Sequence, residues 1–219
     1  MTHLVNSLEF TLVEVLLEVA VAQERDVPGA LEGGADRLLT TATEPVVVSA
    51  MCREAGPVPV HVVVDSLAVG RPLLDVGARG LAVGFLDADL EVDVAACAEL
   101  ADLPWQFSAL DDTLDPRRSW RRLVGLPGLI GVHSAGSPRG MGEGYDDLQA
   151  TAETDPAIAA LLVPGGGLLA EHVPWLVRAG VRAFHVDVQA RPGASRRSYV
   201  SADLVRSWRL LLDSAVERL

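Results

Sequence analysis

The sequence contains no lysine, so all 18 of its basic residues are arginines. This absence excludes chemistry that needs a lysine Schiff base or a P-loop lysine, and with it PLP enzymes, lysine aldolases and Walker-type nucleotide hydrolases. Cysteine is also scarce. Cys52 and Cys97 lie far apart without a CxxC pair, which excludes a disulfide framework and a zinc knuckle and is typical of a reducing compartment.

Long apolar runs and excess positive charge are missing as well. No window of about 18 apolar residues is present for a membrane span, and residues 1–10 have no basic region of the kind that opens a signal peptide. The formal net charge of −12 opposes binding to phosphate backbones. We therefore expect a cytoplasmic protein with neither nucleic acid nor membrane among its partners.

The chain does contain a regular alternation of short β-branched runs and amphipathic stretches across 219 residues, of which 49% are hydrophobic. Because no linker or low-complexity segment interrupts this pattern, we expect residues 1–219 to form one domain. The predicted strands are 12–21, 37–40, 58–64, 80–86, 105–109, 129–133, 159–163 and 183–188. The predicted helices are 27–33, 46–55, 67–76, 92–103, 116–124, 145–153, 168–179 and 202–216.

Consecutive βα units with short connections are typical of the (β/α)8 barrel, or TIM barrel. The alternative is a doubly wound open sheet, but the chain lacks a GxGxxG motif after the first predicted strand and shows no break between two halves. The sequence therefore predicts an α/β fold made of a single TIM barrel. In such a barrel, functional residues lie at the carboxyl ends of the strands.

Ionisable residues interrupt several of the apolar predicted strands: Glu18, His61, His133, His185 and Asp187. A buried ionisable group is costly unless it is paired or bound to a metal ion, and neutral imidazole is a common metal ligand. We predict a metal site formed by Glu18, His61 and His185. Glu18 and His185 are also the candidate acid/base residues of an enzyme. The competing interpretation is structural, with Glu18 paired to Arg37 or a histidine in a buried network.

A glycine turn precedes the predicted helix at residue 168. It consists of Gly165, Gly166 and Gly167, and backbone N–H groups at such a turn can bind an anion. TIM barrels often bind phosphate after strands seven and eight, and Arg191 follows the eighth predicted strand. We therefore predict that these glycines and Arg191 bind a small phosphate or carboxylate ligand; the alternative is an ordinary turn beside a solvated basic loop.

Four segments, taken in order, resemble the CutC family of copper-homeostasis proteins. They are Glu18 with the GADR motif at 34–37, the PVH strand at 59–61, the G-x-LD-x-D-x-x-VD pattern at 84–93, and the GGG turn at 165–167 with His185. The resemblance implies a TIM barrel, a cytoplasmic location, a homo-oligomer and copper as the bound metal. The sequence also departs from the family pattern at two places. Val19, Ala20 and Val21 stand where family members carry cysteines, and strand five lacks the family's histidine and arginine.

Three functions therefore remain open. The first, implied by the resemblance, is a CutC-like protein associated with copper homeostasis that binds copper or another metal ion at the C-terminal face of the barrel. The second is an enzyme acting on a small anionic molecule. The third is a catalytically silent homologue. The sequence leaves open whether the protein is an enzyme at all.

Overall fold

The computed structural model describes residues 15–219. Eight parallel strands form one sheet in the order β7-β6-β5-β4-β3-β2-β1-β8. The strands are β1 (Leu16–Ala20), β2 (Arg37–Thr40), β3 (Val60–Val64), β4 (Gly80–Val83), β5 (Trp105–Phe107), β6 (Leu129–Ser134), β7 (Leu162–Pro164) and β8 (Ala183–Val186). Because β1 pairs with both β2 and β8, the sheet curls into a nearly closed barrel, which confirms the predicted (β/α)8 fold.

Helices follow the strands and cover the outside of the barrel. They are α1 (Val27–Glu32), α2 (Pro45–Ala55), α3 (Leu67–Asp75), α4 (Val94–Ala98), α5 (Pro116–Leu123), α6 (Met141–Thr154), α7 (Pro156–Leu161), α8 (Val173–Arg178) and α9 (Ala202–Glu217). In the described part of the chain, no helix combines the length and apolar character needed to cross a bilayer.

The main apolar core lies between the sheet and the helices. Leu17 and Val19 on β1 are fully buried members of it, as are Phe184 and Val186 on β8. Because successive strand side chains point to opposite faces of a sheet, the residue between Leu17 and Val19 faces the barrel axis instead. That residue is Glu18, and the barrel interior is accordingly polar at its centre.

Two predicted element boundaries around β7 are wrong. Residues 159–161 belong to α7, because Asp155 accepts a hydrogen bond from the Ala157 N–H and Pro156 opens the helix, so the strand begins only at Leu162. The helix predicted from residue 168 begins as a 3₁₀ turn at Ala170 and becomes α-helical at Val173.

Two further boundaries differ from the prediction. Helix α6 begins at Met141, four residues earlier than predicted, because the Met141 N–H donates to the Gly166 carbonyl oxygen. The helix predicted over 92–103 covers only Val94–Ala98, since Val92 forms an antiparallel bridge with Leu86. The first three residues of the predicted strand 12–21 lie outside the described part of the chain.

Candidate functional site

Glu18 lies inside the barrel with an exposed fraction of 0%. Its two carboxylate oxygens have different partners. Oε2 accepts hydrogen bonds from Arg37 Nε at 2.5 Å and from Gln106 Nε2 at 2.8 Å, whereas Oε1 accepts one from His185 Nδ1 at 2.8 Å. Strand register explains part of this arrangement, because Glu18 is paired laterally with Arg37 on β2 and with His185 on β8. These bonds offset the cost of burying the carboxylate.

Gln106 on β5 connects Glu18 to two further histidines. Its Oε1 lies 2.8 Å from His61 Nδ1, and its Nε2 lies 2.8 Å from His133 Nε2. A carboxylate only accepts hydrogen bonds, so the Gln106 nitrogen must face Glu18 and its oxygen must face His61. It follows that His61 carries its proton on Nδ1, and that His133 Nε2 is an unprotonated acceptor.

The electrostatics of the cluster favour an ionised carboxylate at Glu18 beside neutral imidazoles at His133 and His61. Burial by itself would raise the pKa of Glu18, but the charge that His133 carries when protonated, the Arg37 guanidinium and the His185 hydrogen bond hold it well below its usual range. Burial lowers the pKa of His133 to about 4 despite the opposing Glu18 charge. Burial and the nearby guanidinium also lower the pKa of His61. At neutral pH, His133 therefore offers the uncharged form that binds metal ions.

Three side chains are close enough to share one metal ion. Glu18, His133 and His185 each offer a ligand atom, and these atoms lie within 4.8 Å of one another. Glu18 Oε1 is 2.8 Å from His185 Nδ1 and 3.4 Å from His133 Nε2. The side chains of His133 and His185 are each 14% exposed while Glu18 is fully buried, so solvent reaches the cluster from the side of the imidazoles. Both histidines are next to last in their strands, which places them toward the carboxyl end of the barrel.

Glycines on neighbouring strands make room for the imidazoles. A Cβ atom at Gly80 on β4 would lie 2.6 Å from His61 Cε1 and 2.5 Å from the Pro104 carbonyl oxygen. A Cβ atom at Gly165, which follows β7, would lie 3.2 Å from His185 Cδ2. The first distance is shorter than any ordinary contact, so the interior accommodates His61 only because residue 80 has no side chain.

The structure brings two of the three predicted metal ligands together. Glu18 and His185 are in direct contact, and His133 completes the group. His61 contacts Gln106 instead and reaches Glu18 only through that amide. The sequence interpretation missed Gln106, although a signal was available: it is a polar residue between Trp105 and Phe107 in a strand that is otherwise apolar.

The residues predicted to bind an anion are arranged differently. The Gly165 N–H donates to the Ser134 carbonyl oxygen, and the Gly166 carbonyl oxygen accepts from Met141; Gly166 and Gly167 have positive φ angles of 63° and 103°, which suit glycine in a turn. Arg191 is 3% exposed, and its guanidinium is bonded to Asp26 and to two backbone carbonyl oxygens. The glycines form a turn, whereas the Arg191 Nη1 and Nη2 atoms are bonded to protein groups.

Comparison with known proteins adds to this geometry. No protein-family model matches the chain. The family protein CutC of Klebsiella pneumoniae is 28% identical over 123 residues, and the match covers 52% of this chain and 47% of that protein. Over that segment the chain is similar to a CutC protein. Its match spans about half the length of this curated CutC relative.

Solved structures show the same barrel. A structure named for the copper homeostasis protein CutC of Streptococcus agalactiae has a TM-score of 0.62 at 19% identity, covering 78% of this chain and 97% of that one. Thiamine phosphate pyrophosphorylase from Pyrococcus furiosus has a TM-score of 0.65 at 16% identity, covering 93% and 98%. At these identities, the likeness of the chain to either structure shows the fold alone.

The two thiols of the chain lie away from the cluster. Cys52 is on α2 and Cys97 is on α4, both as free cysteines on the outer layer of helices. Burial raises the pKa of both thiols, that of Cys97 to about 12, so neither is a ready thiolate at neutral pH. Among residues 15–219, the clustered donors inside the barrel are therefore the carboxylate oxygen of Glu18 and the imidazole nitrogens of His133 and His185.

Proposed function

We propose that this chain is a CutC-like copper-homeostasis protein that binds a divalent metal ion through Glu18, His133 and His185. The observation that carries the proposal is the convergence of one ionised carboxylate and two imidazoles within 4.8 Å inside the barrel. Donor atoms about 3 Å apart suit a metal ion with bonds of about 2.0–2.2 Å to imidazole and carboxylate groups. The 2.8 Å and 3.4 Å separations from Glu18 Oε1 support this reading.

The chemistry of the donors favours a particular kind of ion. Two imidazole nitrogens and a carboxylate oxygen suit Cu²⁺, Zn²⁺ and other divalent first-row ions, whereas Cu⁺ prefers thiolate and thioether ligands. Because the thiols of Cys52 and Cys97 lie on helices outside the barrel, the cluster fits divalent copper better than monovalent copper. A bound copper or zinc ion would act as a Lewis acid inside the barrel, or the protein would store the ion there.

The test is a titration of the metal-free protein with Cu²⁺ and with Zn²⁺ against a chelator of known affinity. We expect stoichiometric binding that is lost in Glu18→Gln and His133→Ala. His172→Ala is the matched control, because His172 is 8% exposed but stacks on Tyr145 outside the cluster. Binding that survives in both cluster variants would refute the proposal.

His61→Ala distinguishes the two possible ligand sets. If the metal is held by Glu18, His133 and His185, this variant still binds, because His61 contacts only the Gln106 amide. If binding instead requires His61 and survives in His133→Ala, the ligand set predicted from the sequence is the correct one.

A second candidate function is acid/base chemistry on a small anion. Arg37 is 4% exposed, and within residues 15–219 its Nη2 atom has no hydrogen-bond partner. A buried guanidinium N–H without a partner favours an incoming oxyanion. Protection of the protein against thermal unfolding by phosphate or oxalate, lost in Arg37→Lys, would support this function, and the absence of protection would remove it.

A further inference from the structure

We propose that Gln106 competes with a bound metal ion for His133 and thereby sets the metal affinity, an inference that rests on the metal-binding function proposed above. Gln106 is not one of the three proposed metal ligands. Its amide nevertheless contacts both a carboxylate and an imidazole of the cluster.

The geometry leaves the Gln106 amide in one orientation. Its oxygen accepts from His61 Nδ1, one N–H donates to Glu18 Oε2, and the other N–H donates to His133 Nε2, each at 2.8 Å. An amide has two N–H donors and one carbonyl acceptor. Every polar group of Gln106 is therefore used, and three different strands hold it in place.

The two N–H groups have opposite consequences for a metal ion. The bond to Glu18 Oε2 lies on the oxygen away from the histidines, since His133 and His185 both approach Oε1. It orients the carboxylate and stays in place when a metal binds. The bond to His133 Nε2 uses the lone pair that the metal needs, so it must break first. The proton that His185 Nδ1 donates to Glu18 Oε1 must also move to Nε2 or to solvent before that nitrogen can bind the ion.

Gly131 on β6 is paired with Gln106 in the β5–β6 ladder. A Cβ atom at Gly131 would lie 2.8 Å from Val163 Cγ2, whereas it would make ordinary contacts with Gln106, 3.5 Å from Cγ and 3.6 Å from Nε2. The glycine therefore accommodates Val163, and Gln106 is held by its hydrogen bonds to His61, Glu18 and His133.

The cost of displacing one neutral hydrogen bond predicts the size of the effect. We expect Gln106→Leu to bind Zn²⁺ about fivefold more tightly than the wild-type protein, because His133 is then free and Arg37 still holds Glu18 Oε2. His61→Leu removes the anchor of the amide and shifts the affinity in the same direction. Gln149→Leu is the matched control, since Gln149 is an exposed helical residue bonded to Glu153.

The experiment is a competition titration of these metal-free variants with Zn²⁺, accompanied by a thermal melt of each. Tighter binding in Gln106→Leu and unchanged binding in Gln149→Leu would support the proposal. Unchanged or weaker binding in Gln106→Leu, with a lower melting temperature, would show a purely structural role and overturn it.

A second measurement uses the wild-type protein and does not depend on whether a variant folds. The sequence has only four glutamines and one asparagine, so the side-chain amide signals are few enough to follow by NMR. We expect the Gln106 amide signal to move when Zn²⁺ saturates the protein, and an unmoved signal would overturn the proposal.

The two proposals fail in different ways. Zn²⁺ binding that is absent in the wild-type protein, or that persists in Glu18→Gln, would refute the metal site and the role of Gln106 together. Binding that requires Glu18 and His133 but is indifferent to Gln106→Leu would refute the role of Gln106 alone.

Discussion

Glu18→Gln is the substitution that most directly tests the polar barrel interior. Both oxygens of the Glu18 carboxylate accept hydrogen bonds, one from Arg37 and Gln106 and the other from His185. An amide must place its NH₂ group where one of these oxygens was, and there it faces another donor. The substitution also leaves the Arg37 guanidinium, whose side chain is 5% exposed, without its counter-ion.

The expected loss of stability is large. Breaking a buried ion pair by removing one partner costs about 3–5 kcal/mol. For a domain of this size, each kcal/mol lowers the melting temperature by roughly 2–4 °C, so we expect Glu18→Gln to melt roughly 6–20 °C below the wild-type protein. Differential scanning calorimetry of the metal-free protein measures the change.

Two variants make this result interpretable. Glu32→Gln is the control, because Glu32 pairs with Arg206 at the surface with its side chain 73% exposed, and exposed pairs contribute little. In the Glu18→Gln background, Arg37→Met should cost about 1–3 kcal/mol less than it does in the wild type. A melting temperature for Glu18→Gln equal to that of Glu32→Gln would show that the buried pair is not what stabilises the interior.

Three further outcomes follow from the structure. The folded protein keeps the pKa of His133 at about 4, whereas His133 in the unfolded chain is protonated near pH 6.5. The free energy of unfolding should therefore fall by about 3 kcal/mol as the pH decreases from 6.5 to about 4. Urea midpoints across that pH range measure the change. Arg191→Leu should lower the melting temperature strongly, since it leaves buried Asp26 unpaired, whereas Arg196→Ala, with a side chain 80% exposed, should change it little. Gly80→Ala should destabilise by about 1–3 kcal/mol through overpacking against the Pro104 carbonyl oxygen and His61. Gly142→Ala in α6, where a Cβ atom meets nothing within 4 Å, should stabilise by about 0.5–1 kcal/mol. Thermal melts measure the effects of all four substitutions.

The alternation of strands and helices was accessible from the sequence because each strand buries one apolar face against the helices. The runs around Leu17 and Phe184 show this pattern clearly. The boundary near β7 was missed because residues 159–161 taken alone are compatible with either structure, although the sequence contains a helix-start pair in Asp155 and Pro156. The Asp155 and Pro156 helix start decided in favour of α7.

The site was partly accessible for a related reason. Glu18 and His185 interrupt apolar strands, and burial of such groups requires compensation. The same argument applied to His133, which the structure places beside Glu18 and His185. Gln106 carries no charge, so the cost of burying an ionisable group did not single it out; its position between Trp105 and Phe107 in an apolar strand was the weaker signal. The guanidinium of Arg191 was interpreted as free for a ligand, and nothing local to residue 191 indicates that Asp26 occupies it.

The sequence by itself determined that this chain forms a (β/α)8 barrel and that its interior contains ionisable groups, because hydrophobic periodicity and the cost of burial act locally. Only the tertiary structure decided which of those groups meet. Glu18 contacts residues 88 and 167 positions away along the chain, and strand register sets which side chains reach the same level of the barrel. The ladder also shifts in register at Gln106 between β5 and β6. For these reasons the cluster of Glu18, His133 and His185, with Gln106 beside it, became visible only in the folded barrel.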